Sequence, residues 1–290
     1  MASTRVVLVH RSPEYAELLA RHGTRGQAAF FLACRGGSIE ELEDRQQELA
    51  AARAKVVGAI PAEWRRAEVE RSEVARFVFG PEDVIVVLGQ DGLVANVAKY
   101  LTDQVVIGIN PGGQAGILVP HRPDDLPRLL DSLGSARPMA RTMVSVTADD
   151  GQELTALNEI YLGQPTHQSS RYRIEVDGVE ERQSSSGIIV GTGTGATGWC
   201  ASLQRVVAPQ QALPEPGDAT LAWFVREAWP SPSTGVELTS GELPPGGELV
   251  VTVESDTLVA FGDGIEDDRL TLNWGQRAVI ATATRVLHTL

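Results

Sequence analysis

The chain has 290 residues, 42% of them hydrophobic and 22% charged, and a net charge of −13 at pH 7. That length holds two domains with cores of their own, or one large one. The acidic balance argues against a nucleic-acid or anionic-membrane surface, which needs clustered lysine and arginine. An anionic ligand must then be held by local backbone N–H groups, a metal ion and a few arginines. Two cysteines, Cys34 and Cys200, make no disulfide framework, and the five histidines have no metal-ligand spacing. The apolar patch that follows Arg5 is too short for a secretory core or a membrane span, so a cytoplasmic enzyme is expected.

In chain order, Arg5–His10 reads as a buried strand and Glu14–Arg21 as a helix. Thr24 with Gln27, and Ser38 with Glu41, fit the capping-box spacing and should open helices over 28–34 and 40–57. The run Val84–Leu88 reads as a buried strand that breaks at Gly89-Gln90-Asp91-Gly92 before a helix-like stretch, 93–100. Val105–Asn110 is another short strand ending in a polar residue. Strands alternating with helices indicate a parallel sheet covered on both faces, with ligands beyond the carboxyl ends of the strands, where Asp91 and Asn110 fall. After about Pro138 the pattern changes. Strands are expected over 141–147, 153–162, 172–176, 188–191, 219–226, 249–254, 258–261, 270–273 and 278–282, separated by Gly- and Asp-rich turns. Only 196–206 invites a helix there. The fold class is therefore an α/β N-terminal domain with a parallel sheet, over 1–138, followed by a β-rich C-terminal domain, over 139–274.

Five stretches carry chemistry. At 89–92, glycines around one carboxylate suit a phosphate cradle, where positive φ and bare N–H groups let phosphate oxygens approach and a helix N-terminus adds donors. The alternative is an Asp-Gly turn that merely closes the strand. Asn158-Glu159 interrupts an otherwise apolar strand. An amide beside a carboxylate suits a ribose, and a polar pair at a strand edge or bulge is the plain alternative. Gly191–Trp199 alternates glycine with threonine between a strand and a helix, offering Thr192, Thr194, Gly195, Thr197 and an aromatic plane to a nucleotide; the plain reading is a ligand-free turn. His167–Tyr172 reaches a phosphate through Arg171 or is a surface hairpin. Asp263, in Phe261-Gly262-Asp263-Gly264, either sits in a β-turn or returns to the site.

Taken in order, Gly89–Gly92, Gly108-Ile109-Asn110, Asn158-Glu159, Thr192–Trp199 and Asp263-Gly264 resemble the NAD kinase family from about residue 80 onward. Ser185-Ser186-Gly187, the Gly-Thr-Gly form of the turn, Trp199 and Ser169-Ser170-Arg171 look most like its mitochondrial-type branch. The resemblance implies an NAD kinase-like fold whose tail, about 275–290, packs back on the first domain. It implies transfer of the γ-phosphoryl of ATP to the 2′-hydroxyl of the adenosine ribose of NAD+, giving NADP+. Asp91 would be the catalytic carboxylate. Gly89, Gln90 and Gly92 would form the phosphate loop, with Mg2+ carried by the nucleotide phosphates and not by protein side chains. Asn110, Asn158, Glu159, Arg171, Thr192, Thr194, Gly195, Thr197, Trp199 and Asp263 would bind substrate.

Two residues depart from the family motif. Gln90 replaces a glycine, so its side chain is expected to restrict φ and intrude on the cradle, and Leu93 replaces a threonine hydroxyl. They motivate a second reading, a non-catalytic or regulatory NAD(P)-binding protein on the same scaffold, or a kinase for another nucleotide-like acceptor. A lipid-type kinase ranks last, since the chain shows no basic amphipathic helix. The expected partners are small nucleotides and further copies of the chain, with no nucleic acid and no membrane.

Overall fold

The computed structural model describes residues 4–113 and 116–290. The chain divides into two compact units, one formed by residues 1–138 with 288–290 and the other by 139–287.

The first unit is α/β. Its strands are β1 (Arg5–His10), β2 (Arg65–Glu70), β3 (Asp83–Leu88) and β4 (Val105–Ile109). They pair in parallel in the order β2-β1-β3-β4, and His288 and Thr289 add alongside β4, also in parallel. All six residues of β3 are buried, as expected for a central parallel strand with both faces covered. Asp83 is tolerated there because Arg5 binds its carboxylate through Nε at 2.8 Å and Nη2 at 2.5 Å, and Gly80 N–H donates to it at 2.7 Å. The helices are α1 (Glu14–His22), α2 (Arg25–Ala33), α3 (Ile39–Ala59), α4 (Asp91–Ala98) and α5 (Leu126–Ser132). Thr24 accepts from Gln27 N–H, and Ser38 accepts from the N–H groups of Glu40 and Glu41, so both hydroxyls cap where the sequence places them. Ala52 and Val56 of α3 and Leu126, Leu129 and Leu130 of α5 cover Val6, Leu8, Val84, Val86, Leu88, Ile107 and Ile109 on one face of the sheet.

The second unit is β-rich. Its strands are β5 (Met139–Ala148), β6 (Glu153–Ala156), β7 (Glu159–Gly163), β8 (Ser170–Val176), β9 (Val179–Ser185), β10 (Ile188–Gly191), β11 (Leu221–Val225), β12 (Ser240–Leu243), β13 (Glu248–Val253), β14 (Thr257–Gly262), β15 (Leu270–Asn273) and β16 (Arg277–Thr289), with one helix, α6 (Trp199–Val207). One sheet runs β16-β13-β8-β9, with β5 paired to β16 and to β6. The other runs β12-β11-β10-β7-β14-β15. Alternate residues of both, among them Ile160, Leu162, Tyr172, Ile174, Val190 and Trp223, share one buried core. The opposite face of the six-stranded sheet carries Tyr161, Ile189, Ala222, Phe224 and Val259 under Trp199, Cys200 and Leu203 of α6.

The strand expected over 153–162 is two strands. It breaks at Leu157-Asn158, and β6 and β7 belong to different sheets. Strands β2, β9 and β12 and helix α5 were not anticipated. Two of these, Arg-Arg-Ala-Glu-Val-Glu and Val-Glu-Glu-Arg-Gln-Ser-Ser, lack strict apolar alternation, and their neighbours impose the pairing. Before β9 a turn with Asp177 at φ 52° and Gly178 at φ 76° supplies the twist a two-residue hairpin needs.

Candidate functional site

In the first unit, β3 ends at Gly89 and α4 starts at Asp91. Gln90 is the residue before the helix, at φ −107° and ψ 166°, extended backbone open to any side chain, and its exposed side chain caps nothing. The expected restriction of φ at position 90 is therefore absent. Neither Gly89 nor Gly92 has positive φ, so conformational freedom is not what these glycines supply. A Cβ on Gly92 would meet nothing within 4 Å, so no described residue packs against that side of the first turn of α4. A Cβ on Gly89 would lie 3.0 Å from Leu93 Cδ2. Leu93 is buried, so it packs on the strand end and does not project where a donor hydroxyl would be wanted. Gln90→Gly should change stability by a few tenths of a kcal/mol, whereas Leu93→Thr should cost about 1–3 kcal/mol through lost burial. Urea melts of both variants measure this, and an inexpensive Leu93→Thr would refute the packing role.

Asp91 is tied down. Its Oδ1 accepts from the N–H groups of Leu118 (2.9 Å) and Val119 (3.1 Å), and its Oδ2 from that of Ile117 (2.9 Å). Gly116 lies against the same carboxylate, since a Cβ there would be 2.0 Å from Oδ1. Glycine is thus required by close approach. Asn110, buried, turns its own Oδ1 onto Gly112 N–H at 3.0 Å and donates its N–H to His121 O at 2.8 Å.

In the second unit, the break between β6 and β7 is fastened from both sides. The Asp263 carboxylate accepts from Leu157 N–H (2.9 Å) and Asn158 N–H (2.7 Å). Asp263 sits at φ 54°, a left-handed conformation that aspartate tolerates better than most residues. The Thr192 hydroxyl donates to Leu157 O at 2.6 Å and accepts from Thr194 and Gly195 N–H. Thr192 N–H donates to Asn158 O at 2.9 Å. A Cβ at Gly195 would lie 2.3 Å from Asn158 O, so the Thr/Gly turn presses directly on the Asn158 backbone. Thr192 and Asp263 are committed to this scaffold.

That fastening presents Asn158 and Glu159, both half-buried, in a fixed orientation. The Glu159 carboxyl is pushed up to about 7, first by burial and then by the charge of Asp263. Cys200, behind it, has its thiol raised to about 12 by burial and by Glu159. Thr194 is buried, and its Oγ1 has no hydrogen-bond partner among the described residues. Thr197 is exposed, and Trp199 is half-buried at the start of α6. Arg171 is exposed on β8, in the other sheet, and its backbone pairs with Ser255 and Glu254; among the described residues no hydrogen bond or ion pair joins its side chain to the Asn158 turn.

The folded chain holds the Glu159 proton more tightly than an unfolded chain, whose carboxyl titrates near 4.5. Stability should be fully present below about 4.5 and fall by about 2–3 kcal/mol as pH rises to 7. Glu159→Gln should flatten that fall in a series of thermal melts. An unchanged slope would refute the assignment.

Sequence reading missed the N–H donors of 117–119 and the position of Tyr161 beside Glu159. The second was available from strand alternation, because residues 159 and 161 share a face.

Among the described residues no group of three or more His, Cys, Asp or Glu is placed to hold a metal, and no helix is long and apolar enough to cross a membrane. No family model matches the chain. It is similar to the NAD kinase of Methanospirillum hungatei JF-1, 32% identical over 127 residues, 42% of this chain and 46% of that protein. It is similar to that of Methanocorpusculum labreanum, 34% identical over 41% of this chain and 45% of the relative. The Rickettsia rickettsii NAD kinase is 29% identical over 45% of this chain and 53% of its own length. The chain thus spans about half the length of the curated relatives it matches.

Proposed function

We propose, for a chain related to the NAD kinases, that it transfers the γ-phosphoryl of ATP to the 2′-hydroxyl of the adenosine ribose of NAD+, giving NADP+. The observation that supports this most is the fastened Asn158-Glu159 turn. It holds an amide and a carboxylate on one short stretch of backbone, against the turn that carries the unpartnered Thr194 hydroxyl, a donor and acceptor set suited to a ribose. Thr197 and Trp199 border the nucleoside. The open first turn of α4 at Gly92 receives phosphates.

The Asp91 carboxylate is engaged by three N–H groups, and Mg2+ enters on the nucleotide phosphates in this reading. When bound it neutralises charge on the transferred group. A carboxylate has about four acceptor directions, so Asp91 keeps one with which to orient the hydroxyl and take its proton late in a loose transition state. The protein acts in the cytoplasm as a homo-oligomer in this reading. The edge strands β12 and β15 support that with unpaired backbone, and light scattering that shows only monomer at micromolar concentration would refute it.

Incubation with Mg-ATP and NAD+, with NADP+ detected by a coupled dehydrogenase, tests the reaction. No product above an Asp91→Asn control ends it. The engagement of Asp91 favours a second reading, a non-catalytic NAD(P)-binding protein. Tight NAD(H) or NADP(H) binding by calorimetry, without turnover for any phosphoryl donor, would establish that instead.

A further inference from the structure

Between β1 and α3 the chain folds as a helical hairpin, α1 and α2, over a small core of Leu18, Ala28, Ile39 and Leu42. A cavity of about 540 Å³ opens on this hairpin. Gly26, Gln27, Phe30, Phe31 and Cys34 line one side of it, and at that helical spacing they share one face of α2 and its C-cap. From Gly26 to Cys34 the face runs about 12 Å. Phe30 stands 73% exposed there, and a Cβ on Gly26 would meet nothing within 4 Å. The floor of the cavity is apolar and unfilled.

Both charges that line it are positive. Arg35 lies over the Phe31 ring at 3.7 Å, and its Nη1 donates to Phe31 O at 3.1 Å. Stacking and that bond fix the guanidinium while Nε and Nη2 keep no partner among the described residues. Arg21, in the last turn of α1, supplies the second guanidinium. Among the described residues neither arginine forms an ion pair, and no carboxylate lines the cavity. The ion-paired carboxylates of α1 and α3 are held elsewhere: Glu14 by Arg45, Glu17 by Arg11, and Glu40 and Glu43 by Arg25. His22 tilts against Phe31 with centroids 4.3 Å apart. Its buried Nε2 has no partner among the described residues, an unsatisfied polar atom on a residue that lines the cavity.

The volume lies within the roughly 300–1,000 Å³ of small-molecule sites. We propose that this cavity binds an organic anion with an apolar body of about two fused rings and a carboxylate or phosphate at one end. The body packs along Gly26 and Phe30, whose ring favours offset aromatic contact. The anion accepts charge-assisted hydrogen bonds from Arg35, whose stacked fork is already oriented, and Arg21 adds the second charge. None of these residues belongs to the nucleotide site proposed above, so the inference stands or falls apart from phosphoryl transfer.

The test uses the full chain, naphthoate as probe and the alkylation of Cys34 by iodoacetamide, followed by intact mass. Cys34 is exposed and lines the cavity, whereas Cys200 is buried, so the readout reports on this site. Naphthoate should protect Cys34 with a saturating dependence on its concentration. Naphthalenemethanol, a body without charge, and acetate, a charge without a body, should each need at least about tenfold more. Naphthyl phosphate run beside naphthoate tells which anion the arginines prefer. Arg21→Gln with Arg35→Gln should raise the half-protecting concentration by about tenfold or more. Gly26→Leu, at a position without positive φ, puts a side chain into the cavity and should abolish protection. Melting temperatures of the variants confirm that the fold is retained. Equal protection of wild type and the folded double variant, equal protection by naphthalenemethanol, or none at about 5 mM naphthoate would overturn the proposal. Protection that grows with protein concentration alone would mark the face as a contact between copies and would overturn it too.

Discussion

Asp91→Asn should lower NADP+ formation by about 100-fold or more and, in the same protein, release the segment that follows Gly116. The two effects share one cause. The carboxylate offers acceptors on both oxygens to Ile117, Leu118 and Val119. An asparagine amide keeps one acceptor and turns an NH2 toward an N–H, leaving a donor unanswered at a cost of about 1–3 kcal/mol. Hydrogen exchange at amides 117–119 reads the structural part, and the coupled dehydrogenase assay reads the chemical part. Unchanged exchange would show that these bonds do not hold the segment. Retained turnover would remove Asp91 from the chemistry. Asp91→Glu separates the roles further, since it keeps the charge and displaces both oxygens.

Asp263→Ala is expected to have the second large effect. It strips the acceptor from Leu157 and Asn158 N–H and leaves alanine at φ 54°, a combined loss of about 2–4 kcal/mol. NAD+ affinity should fall by more than about tenfold, because Asn158 and Glu159 lose the fastening that orients them. Asp263→Asn, which tolerates the same backbone and keeps one acceptor, should lose roughly half as much stability. Removing the Asp263 charge also lowers the proton affinity of Glu159, so the pH window in which stability falls should move down. Urea melts and calorimetric titration with NAD+ measure these effects. Wild-type affinity in a folded Asp263→Ala protein would show that the Asn158 turn is not the nucleotide site.

The apolar strands β1, β3, β4, β10 and β11 were legible because their burial repeats in the residue pattern, and the capped helices α2 and α3 because one hydroxyl marks each start. Strand β9 was not legible, since a sequence as polar as Val-Glu-Glu-Arg-Gln-Ser-Ser is held by its pairing with β8. The motif residues were visible as residue types, but their division of labour was not. Asp263 and Thr192 looked like ligand groups, yet their polar atoms bind the backbone of 157–158. Composition carries no record of which side a hydroxyl or carboxylate faces. The break at Leu157-Asn158 was hidden for the same reason. Nothing in the apolar run of 154–162 marks the point where the chain leaves one sheet for the other, because the fastening residues lie about 35 and 105 positions away.

The parallel pairing of His288 and Thr289 with Val105 and Val106 has a consequence for biogenesis. A nascent chain that has emerged through Pro138 still lacks the neighbour of β4, and about 150 more residues must leave the ribosome before it arrives. Until then that edge is a bare ladder of N–H and C=O groups beside apolar side chains. Quality control would therefore meet the first unit as an unfinished sheet, and strand-swapped aggregates would be expected to start there.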